Sequence, residues 1–328
     1  MRMKRSAFVT TLARVICSLS LFLGCLATTG QAGSLAYVSS DTHVLVIDIE
    51  AGKTVAAIPV FGGTDAIGFT PDGARAYVMN PGAYGITVID TKSATVMDSI
   101  PLGELNIRPS WLAITPDGAR VYASIAPGNS IDVIETDNNA VIATLPALSN
   151  PYGIGIAPDG TRAYVVHTVS DKISVIDVGT NTIIDDVLVG REPRHVAVSP
   201  EGDFAYVSSG DRIVWIIDTT TNTVADFILL ENPMSYPVEI AVTPDGAFVY
   251  VANLRAGTVS VINAKTRTLA ATVGVGQAPR GLQISPDGAI ALVANYDSSS
   301  LSVIDTRTHG VIDTINVDVR PRAIAFSP

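Results

Sequence analysis

Nine side chains are candidates for a ligand site, because they interrupt an otherwise regular sequence. They are Asp65, Trp111, Tyr152, His167, Arg194, His195, Glu239, Arg280 and Arg322. Arginine offers fixed planar donors that match carboxylate or phosphate, so an anionic group is the expected ligand feature. A histidine and a glutamate could also contribute to a metal site, but the spacing does not support one, and we predict neither metal nor cofactor. Alternatively, the arginines bond loop carbonyls and carboxylates and only hold neighbouring units together.

The elements that must position these side chains come from a sequence repeat. An apolar run, a Pro-Asp-Gly turn (Pro-Glu-Gly in one copy) and a second apolar run recur at intervals of 42 to 45 residues. The turn prolines are Pro71, Pro116, Pro158, Pro200, Pro244, Pro286 and, for the first half of the phrase, Pro328. Repetition at this period indicates an array of identical supersecondary units.

One repeat predicts four antiparallel strands, which we name a to d. In the last complete copy these are Gly281–Ser285, Ala289–Ala294, Leu301–Asp305 and Val311–Val317. Strand c alternates apolar and polar residues, as a half-buried strand does. Proline and glycine suit the tight turn between strands a and b. Four short strands in about 42 residues predict one blade of a β-propeller.

The two ends of the repeated region predict how the ring closes. The region begins within a repeat, at the strand b of Ala36–Val38, and ends at a lone strand a, Ala323–Pro328. The C-terminal strand a can complete the N-terminal sheet, which removes the exposed edges of an open array. We therefore predict an all-β fold: a single seven-bladed β-propeller over residues 33–328, with four antiparallel strands per blade.

Loop length varies on only one face of the predicted propeller. From the end of strand c to the next turn proline there are 23 residues in five blades, but 26 after Asp90 and Asp218. The extra residues fall near Gly103–Pro109 and Glu231–Pro237, in loops from strand d to the next strand a. The b–c loops emerge on the same side, and the constant Pro-Asp-Gly turns on the other. Variation confined to one face indicates the binding face.

The first residues of strand a should ring the central channel on this variable face. Eight of the nine candidates occupy such positions, namely Asp65, Trp111, Tyr152, Arg194, His195, Glu239, Arg280 and Arg322. His167 ends a strand b on the same face. His195 and Glu239 fall on adjacent blades, and Arg194, Arg280 and Arg322 fall on blades 5, 7 and 1. We predict that a ligand or partner binds here.

The composition excludes one class of partner. The net charge is −10, and four of the 21 basic residues precede Gly33, so the remainder carries −14. Such an acidic chain should not bind nucleic acid, because neutralising phosphates supplies that affinity. Twelve of the acids are predicted to form turns. They are Asp48, Asp72, Asp90, Asp117, Glu135, Asp159, Asp177, Glu201, Asp218, Asp245, Asp287 and Asp305.

The first 32 residues predict a secretory signal peptide. Met1–Arg14 is basic, Val15–Ala27 is apolar but too short to span a bilayer, and Gly30 and Ala32 suit a cleavage site. The expected location is the periplasm, the medium or the cell surface. An alternative is lipid anchoring at Cys25, since Phe22–Cys25 is similar to a bacterial lipobox except at Phe22. No other stretch is long and apolar enough to span a membrane.

Three segments carry a family resemblance. Ala76–Asn80, Val249–Asn253 and Leu292–Asn295 are each followed by a strand similar to Ser-Val-Ile-Asp. Together with the turns, they resemble YVTN-repeat propellers over essentially all of Gly33–Pro328, although His167 replaces the usual asparagine. The resemblance implies an exported bacterial or archaeal propeller. Functions in that group vary: some members resemble scaffold or adhesion modules, some bind DNA or partners, and related propellers serve as redox-enzyme subunits. No catalytic residue can be transferred.

Two functions remain open. The first is a non-catalytic, monomeric binding or scaffold module that takes a protein partner or a small anionic ligand on the variable face. It is favoured by the regular repeats and by the absence of nucleophile-elbow, metal-ligand, haem-attachment and phosphate-loop motifs. The alternative is a periplasmic enzyme or redox-enzyme accessory subunit, such as a lactonase-like hydrolase or a quinone- or haem-associated oxidoreductase partner. The Arg, His and Glu residues at the channel mouth support the alternative.

Overall fold

The computed structural model describes residues 35–60, 62–102, 109–126 and 128–328. Within these ranges the chain forms 28 β-strands and a single turn of 3-10 helix, Pro81–Ala83. The predicted signal peptide, with Cys25, lies outside the described residues. So does most of the longer loop near Gly103–Pro109.

The strands follow one another in the predicted four-strand pattern. In chain order they are β1 (Leu35–Ser39), β2 (His43–Asp48), β3 (Lys53–Pro59), β4 (Ile67–Phe69), β5 (Arg75–Asn80), β6 (Gly85–Asp90), β7 (Thr95–Pro101), β8 (Pro109–Ile114), β9 (Arg120–Ile125), β10 (Ser130–Glu135), β11 (Ala140–Pro146), β12 (Pro151–Ile156), β13 (Arg162–His167), β14 (Lys172–Asp177), β15 (Thr182–Leu188), β16 (Pro193–Val198), β17 (Phe204–Ser209), β18 (Ile213–Asp218), β19 (Thr223–Leu229), β20 (Pro237–Val242), β21 (Phe248–Asn253), β22 (Thr258–Asn263), β23 (Thr268–Gly274), β24 (Pro279–Ile284), β25 (Ile290–Asn295), β26 (Ser300–Asp305), β27 (Gly310–Asn316) and β28 (Ile324–Phe326).

These strands form seven antiparallel sheets of four, which confirms the predicted fold. Blade 1 has the strand order β28-β1-β2-β3, blade 2 is β4 to β7, and the pattern continues to blade 7, which is β24 to β27. Strand a of each blade packs against strand a of the next, so seven inner strands surround the channel. Strands b and c are almost wholly buried, because each sheet is covered on both faces by neighbouring blades.

Ring closure also follows the prediction. The C-terminal strand β28 pairs antiparallel with β1, with Ile324 opposite Val38 and Phe326 opposite Ala36. Beyond the ladder, the Arg322 amide donates to the Ser39 carbonyl at 2.8 Å, and Ser327 donates to the Leu35 carbonyl at 2.9 Å. The last residues of the chain thus supply the innermost strand of the first blade.

The hydrophobic core lies between blades rather than within one. Seven clusters of buried side chains each join two adjacent blades, including the closing pair of blades 7 and 1. The repeated strand b tyrosines belong to these clusters. Tyr122, for example, is fully buried, and its hydroxyl donates to the Asn181 side chain of the next blade at 2.5 Å. Tyr37, Tyr77 and Tyr250 likewise bury a large apolar ring while the hydroxyl is hydrogen-bonded. The buried hydroxyl of Tyr164 makes no hydrogen bond of good geometry with the described residues.

The face with the Pro-Asp-Gly turns is occupied by structural contacts. Ten of the twelve predicted turn acids accept hydrogen bonds from nearby backbone amides, as Asp117 does from Ala119 at 2.9 Å. Arg75, Arg120 and Arg162 donate to backbone carbonyls in the c–d turn of the next blade. The constant spacing of the repeats on this face therefore serves to hold the blades together.

Candidate functional site

The channel mouth is shaped by β-bulges at the beginning of strand a. In blade 5, Pro193 pairs with Ser209 and His195 pairs with Ser208, so Arg194 is left out of the ladder. The same shift occurs at the start of strand a in blades 3, 4, 6 and 7. A bulge redirects the side chains beside it. In these five blades the irregularity falls at or beside the candidate residues of strand a.

His195 and Glu239 lie side by side in the channel, on β16 and β20. Nε2 of His195 is 3.7 Å from Oε1 of Glu239, and their side chains are only 11% and 13% exposed. Both ring nitrogens of His195 are buried, and neither makes a hydrogen bond of good geometry with the described residues. The Ile240 backbone and Oε1 of Glu239 are nearby polar groups. Buried polar atoms are normally hydrogen-bonded. The imidazole therefore lacks the well-formed hydrogen bonds that a buried ring normally makes.

Burial shifts the pKa values of this pair in opposite directions. It lowers the pKa of His195 to about 4, although the Ile240 backbone acts in the other direction. It raises the pKa of Glu239 well above the usual value. Loss of solvent disfavours the charged form of either group. Between these two pKa values both side chains are uncharged, so the pair is a neutral base beside a neutral acid.

Two aromatic residues form the wall next to His195. The Trp111 ring on β8 contacts the His195 ring edge to face, with 4.7 Å between centroids, and lies 6.1 Å from the Tyr152 ring. Gly153 makes this packing possible, because a Cβ there would lie 2.7 Å from both Cα and Cδ2 of His195. The wall presents an apolar surface next to the polar pair.

Four charged candidates affect the pKa of the Tyr152 hydroxyl. Burial is the largest cause that raises its pKa. Asp65 and Glu239 also raise that pKa, whereas Arg194 and Arg280 lower it. These four groups lie on blades 2, 5, 6 and 7, and each influences the Tyr152 side chain of blade 4.

Three guanidinium groups gather around Tyr296, in the b–c loop of blade 7. The guanidinium carbons lie 4.5 Å from the ring centroid for Arg280, and 5.3 Å for Arg320 and Arg322. Arg322 also bonds Asp41 at 2.7 Å and Asp65 at 2.5 Å. Burial lowers the pKa of Arg322, but the two carboxylates more than offset this and raise it. Arg322 thus matches the alternative expectation of a blade-joining arginine, whereas Arg280 is exposed and forms no ion pair with the described residues.

A second aromatic and arginine group centres on Tyr236, which sequence analysis did not identify. Tyr236 lies in the longer loop before β20. Its ring is 5.2 Å from the guanidinium carbon of Arg194 and 4.2 Å from that of Arg255. Its hydroxyl accepts a bond from Arg194 and donates to Glu192 at 2.8 Å. In the sequence, the three extra residues of this loop were the signal that could have pointed to Tyr236.

His167 is not part of the channel-mouth contacts. Its Nε2 shares a 2.8 Å hydrogen bond with the Ser174 hydroxyl, which donates to Asp186 at 2.6 Å. The same strand position holds Asn253 and Asn295, whose amides donate to Ser260 and Ser302. Burial lowers the pKa of His167 to about 4. Its contacts are those of a side chain that holds strands b and c together.

The described part of the chain gives two further observations. It contains no group of three or more His, Cys, Asp or Glu side chains arranged to hold a metal ion. It also contains no helix with the length and apolar character needed to cross a membrane.

Part of the chain is similar to a known protein family. A family model described as lactonase, 7-bladed beta-propeller, matches residues 190–322, which is less than half of the chain. The matched segment contains Arg194, His195, Glu239, Arg280 and Arg322. No curated protein matches the chain.

Two solved structures are similar over most of the chain. A chain of Kuenenia stuttgartiensis hydrazine synthase has a TM-score of 0.75 at 22% identity, and the alignment covers 88% of this chain and 99% of that one. A functionally unknown protein from Desulfotomaculum acetoxidans has a TM-score of 0.76 at 17% identity, with 89% and 98% covered. At these identities the likeness concerns the fold alone.

Proposed function

We propose that this protein is an exported propeller that binds a small organic anion, with a carboxylate as the simplest head group, at the channel mouth. The observation that carries the proposal is His195, whose buried ring nitrogens make no hydrogen bond of good geometry with the described residues. Arg280 supports it, because its exposed guanidinium contacts Tyr296 and forms no ion pair with a carboxylate of the described ranges. A buried donor or acceptor without a partner costs stability, which a bound ligand would recover.

The charges near the mouth favour an anion although the whole chain is acidic. Arg322 is already paired with Asp41 and Asp65, but Arg280 is not. Below the raised pKa of Glu239 that side chain is neutral and does not cancel the charge of Arg280. Guanidinium groups in a partly enclosed site attract carboxylate more strongly than they do in open water.

Fluorescence of Trp111 provides a direct test. The chain has two tryptophans, so a Trp215→Phe variant leaves Trp111, in contact with His195, as the only reporter. Butyrate titrated into this variant at constant ionic strength should give a saturable signal. Arg280→Ala should weaken the binding at least tenfold. The control, Arg307→Ala, removes an exposed arginine from the opposite face and should leave binding unchanged. No saturable signal, or equal affinity in all three proteins, would refute the proposal.

A second candidate function is hydrolysis of a lactone that carries an anionic group. Two observations favour it: the neutral acid and base lie 3.7 Å apart, and the lactonase-type match covers both residues. Neutral His195 could accept a proton from water as the oxygen attacks the lactone carbonyl. Protonated Glu239 could donate to the ring oxygen as the ring C–O bond breaks. Proton transfer from His195 back to Glu239 would restore the pair, and the net reaction adds one water to give a hydroxy acid.

Hydrolysis and simple binding are distinguished by variants of the acid. With 5-oxotetrahydrofuran-2-carboxylate as substrate, the wild type should release the hydroxy acid, and Glu239→Gln should lose at least a hundredfold in rate. The same variant should still bind butyrate within a few-fold of the wild type, since Arg280 is intact. If the wild type binds the lactone without opening its ring, hydrolysis is ruled out and the non-catalytic binding function is retained. The hydrazine synthase likeness supports an accessory role in a redox enzyme only through the shared fold.

Location and assembly form a separate part of the proposal. Export rests on residues 1–32, so the mature N-terminus should lie near Gly33 and the protein should be a monomer in the periplasm or outside the cell. N-terminal sequencing and light scattering test this directly. A lipid-modified Cys25 would replace it with a membrane-anchored protein.

A further inference from the structure

We propose that the ligand carries two anionic groups, and that the second group binds a subsite formed by Arg255 and Arg194 at Tyr236. The inference rests on the proposed function, because it defines the class of anion that the same channel mouth takes.

The subsite is built around a fixed aromatic ring. The Tyr236 hydroxyl donates to Oε2 of Glu192 at 2.8 Å and accepts a bond from Arg194. Gly210 leaves room for this arrangement, because a Cβ there would lie 2.9 Å from Oε2 of Glu192 and 3.1 Å from Cε2 of Tyr236. The guanidinium of Arg255 lies over the ring at 4.2 Å, a distance typical of a cation–π contact.

The contacts leave one positive charge of this subsite unbalanced. The hydrogen bond from Tyr236 is the largest cause that lowers the pKa of Glu192, so its carboxylate is ionised and pairs with Arg194 at 3.3 Å. Arg255 is exposed and forms no ion pair with the described residues. Nε of Arg194 is buried and likewise has no hydrogen-bond partner there. A ligand carboxylate would satisfy both the free charge and the free donor.

The Tyr296 group has the same charge balance. Its three guanidiniums face two paired carboxylates, Asp41 and Asp65, so one positive charge remains there as well. Tyr236 directly precedes β20 and Tyr296 directly follows β25, so the two groups lie on the adjacent blades 6 and 7. Two subsites, each with one unbalanced charge, fit a dianion such as an α,ω-dicarboxylate.

A series of dicarboxylates tests the inference. Malonate, succinate, glutarate, adipate and pimelate are titrated into the Trp215→Phe protein, each beside the monocarboxylate of equal length. One chain length should bind at least tenfold more tightly than its monocarboxylate, and that length measures the separation of the subsites. Arg255→Ala should abolish this advantage and leave monocarboxylate affinity within twofold. Arg255→Lys keeps the charge and should retain part of the advantage. Arg307→Ala should change neither.

The outcomes separate this inference from the proposed function. If monocarboxylates bind and no dicarboxylate binds more tightly, the second subsite is wrong and the proposed function stands. If Arg255→Ala weakens both classes equally, Arg255 affects the whole site and the subsite is again wrong. If no carboxylate binds, the proposed function fails and this inference fails with it.

Discussion

Nε2 of His195 lies 3.7 Å from Oε1 of Glu239, and burial favours the uncharged form of both side chains. The imidazole pKa is lowered to about 4, and the carboxyl pKa is raised well above its ordinary value. Groups with shifts of this kind concentrate at functional sites. They also connect the site to the stability of the whole protein, because a pKa that differs between folded and unfolded chains makes stability depend on pH.

Glu239→Gln should change how stability depends on pH. The unfolded chain loses this proton near the ordinary pKa of 4.5, whereas the folded chain keeps it to higher pH. The contribution of Glu239 is therefore fully present below pH 4.5 and is lost as pH rises through the folded pKa. We therefore compare the free energies of unfolding of variant and wild type, measured with urea. The variant value minus the wild-type value should be larger at pH 8 than at pH 5. The ionisable groups away from this pair are the same in both proteins, so their contributions cancel in this comparison. A difference that does not vary with pH would contradict the shift.

His167→Asn should have an effect of the opposite sign. The folded pKa of His167 is about 4 against 6.5 for the free side chain, so the wild type loses stability as pH falls from 6.5 toward 4. Asparagine occupies this position in blades 6 and 7 and bonds the equivalent serine. Between pH 7.5 and pH 5 the variant should gain about 2 kcal/mol in free energy of unfolding relative to the wild type. Equal pH profiles for the two proteins would show that His167 is not buried as a neutral ring.

The fold could be predicted because its signals are local and repeated. The Pro-Asp-Gly turns and strand alternation specify each blade, and the ring places equal repeat positions beside one another. The sequence therefore predicted that His195 and Glu239 lie on adjacent blades at one level of the channel. It could not predict that Asp41 and Asp65 neutralise Arg322, because that depends on side-chain directions across the closing blades.

The irregular loops mark the limit of sequence reasoning at the site. Tyr236 reaches Arg194 across 42 residues, and its position follows from a loop that is three residues longer than the loops of five other blades. His167 shows the reverse problem. Its place on the variable face suggested a ligand-binding residue, but the structure bonds its ring to Ser174, inside blade 4. Chain order alone does not distinguish a side chain that faces the channel from one enclosed between strands.

Gly153→Ala should disturb the site through close contact. The new Cβ would lie 2.7 Å from the Arg194 carbonyl oxygen and from Cδ2 of His195, and neither the backbone nor the enclosed ring can easily move. We expect a loss of about 1–3 kcal/mol in free energy of unfolding, together with weaker butyrate binding. Gly274→Ala is the matched control, because no atom lies within 4 Å of a Cβ at that position. Equal stability of the two variants would show that strands β12 and β16 are not packed as closely as described.

Deletion of residues 322–328 should open the ring. It removes β28, and with it the ladder to β1 and two core side chains, Ile324 and Phe326. The exposed edge of β1 would be a template for pairing with other chains, so aggregation or loss of most of the folding stability is expected. Arg322→Ala in the full-length chain is the control, because it keeps β28 and removes one partly exposed side chain with its ion pairs and its contact with Tyr296. It should cost about 1 kcal/mol. Thermal unfolding followed by circular dichroism distinguishes the two variants. A truncated protein that melts at the wild-type temperature would mean that β28 does not hold the propeller closed.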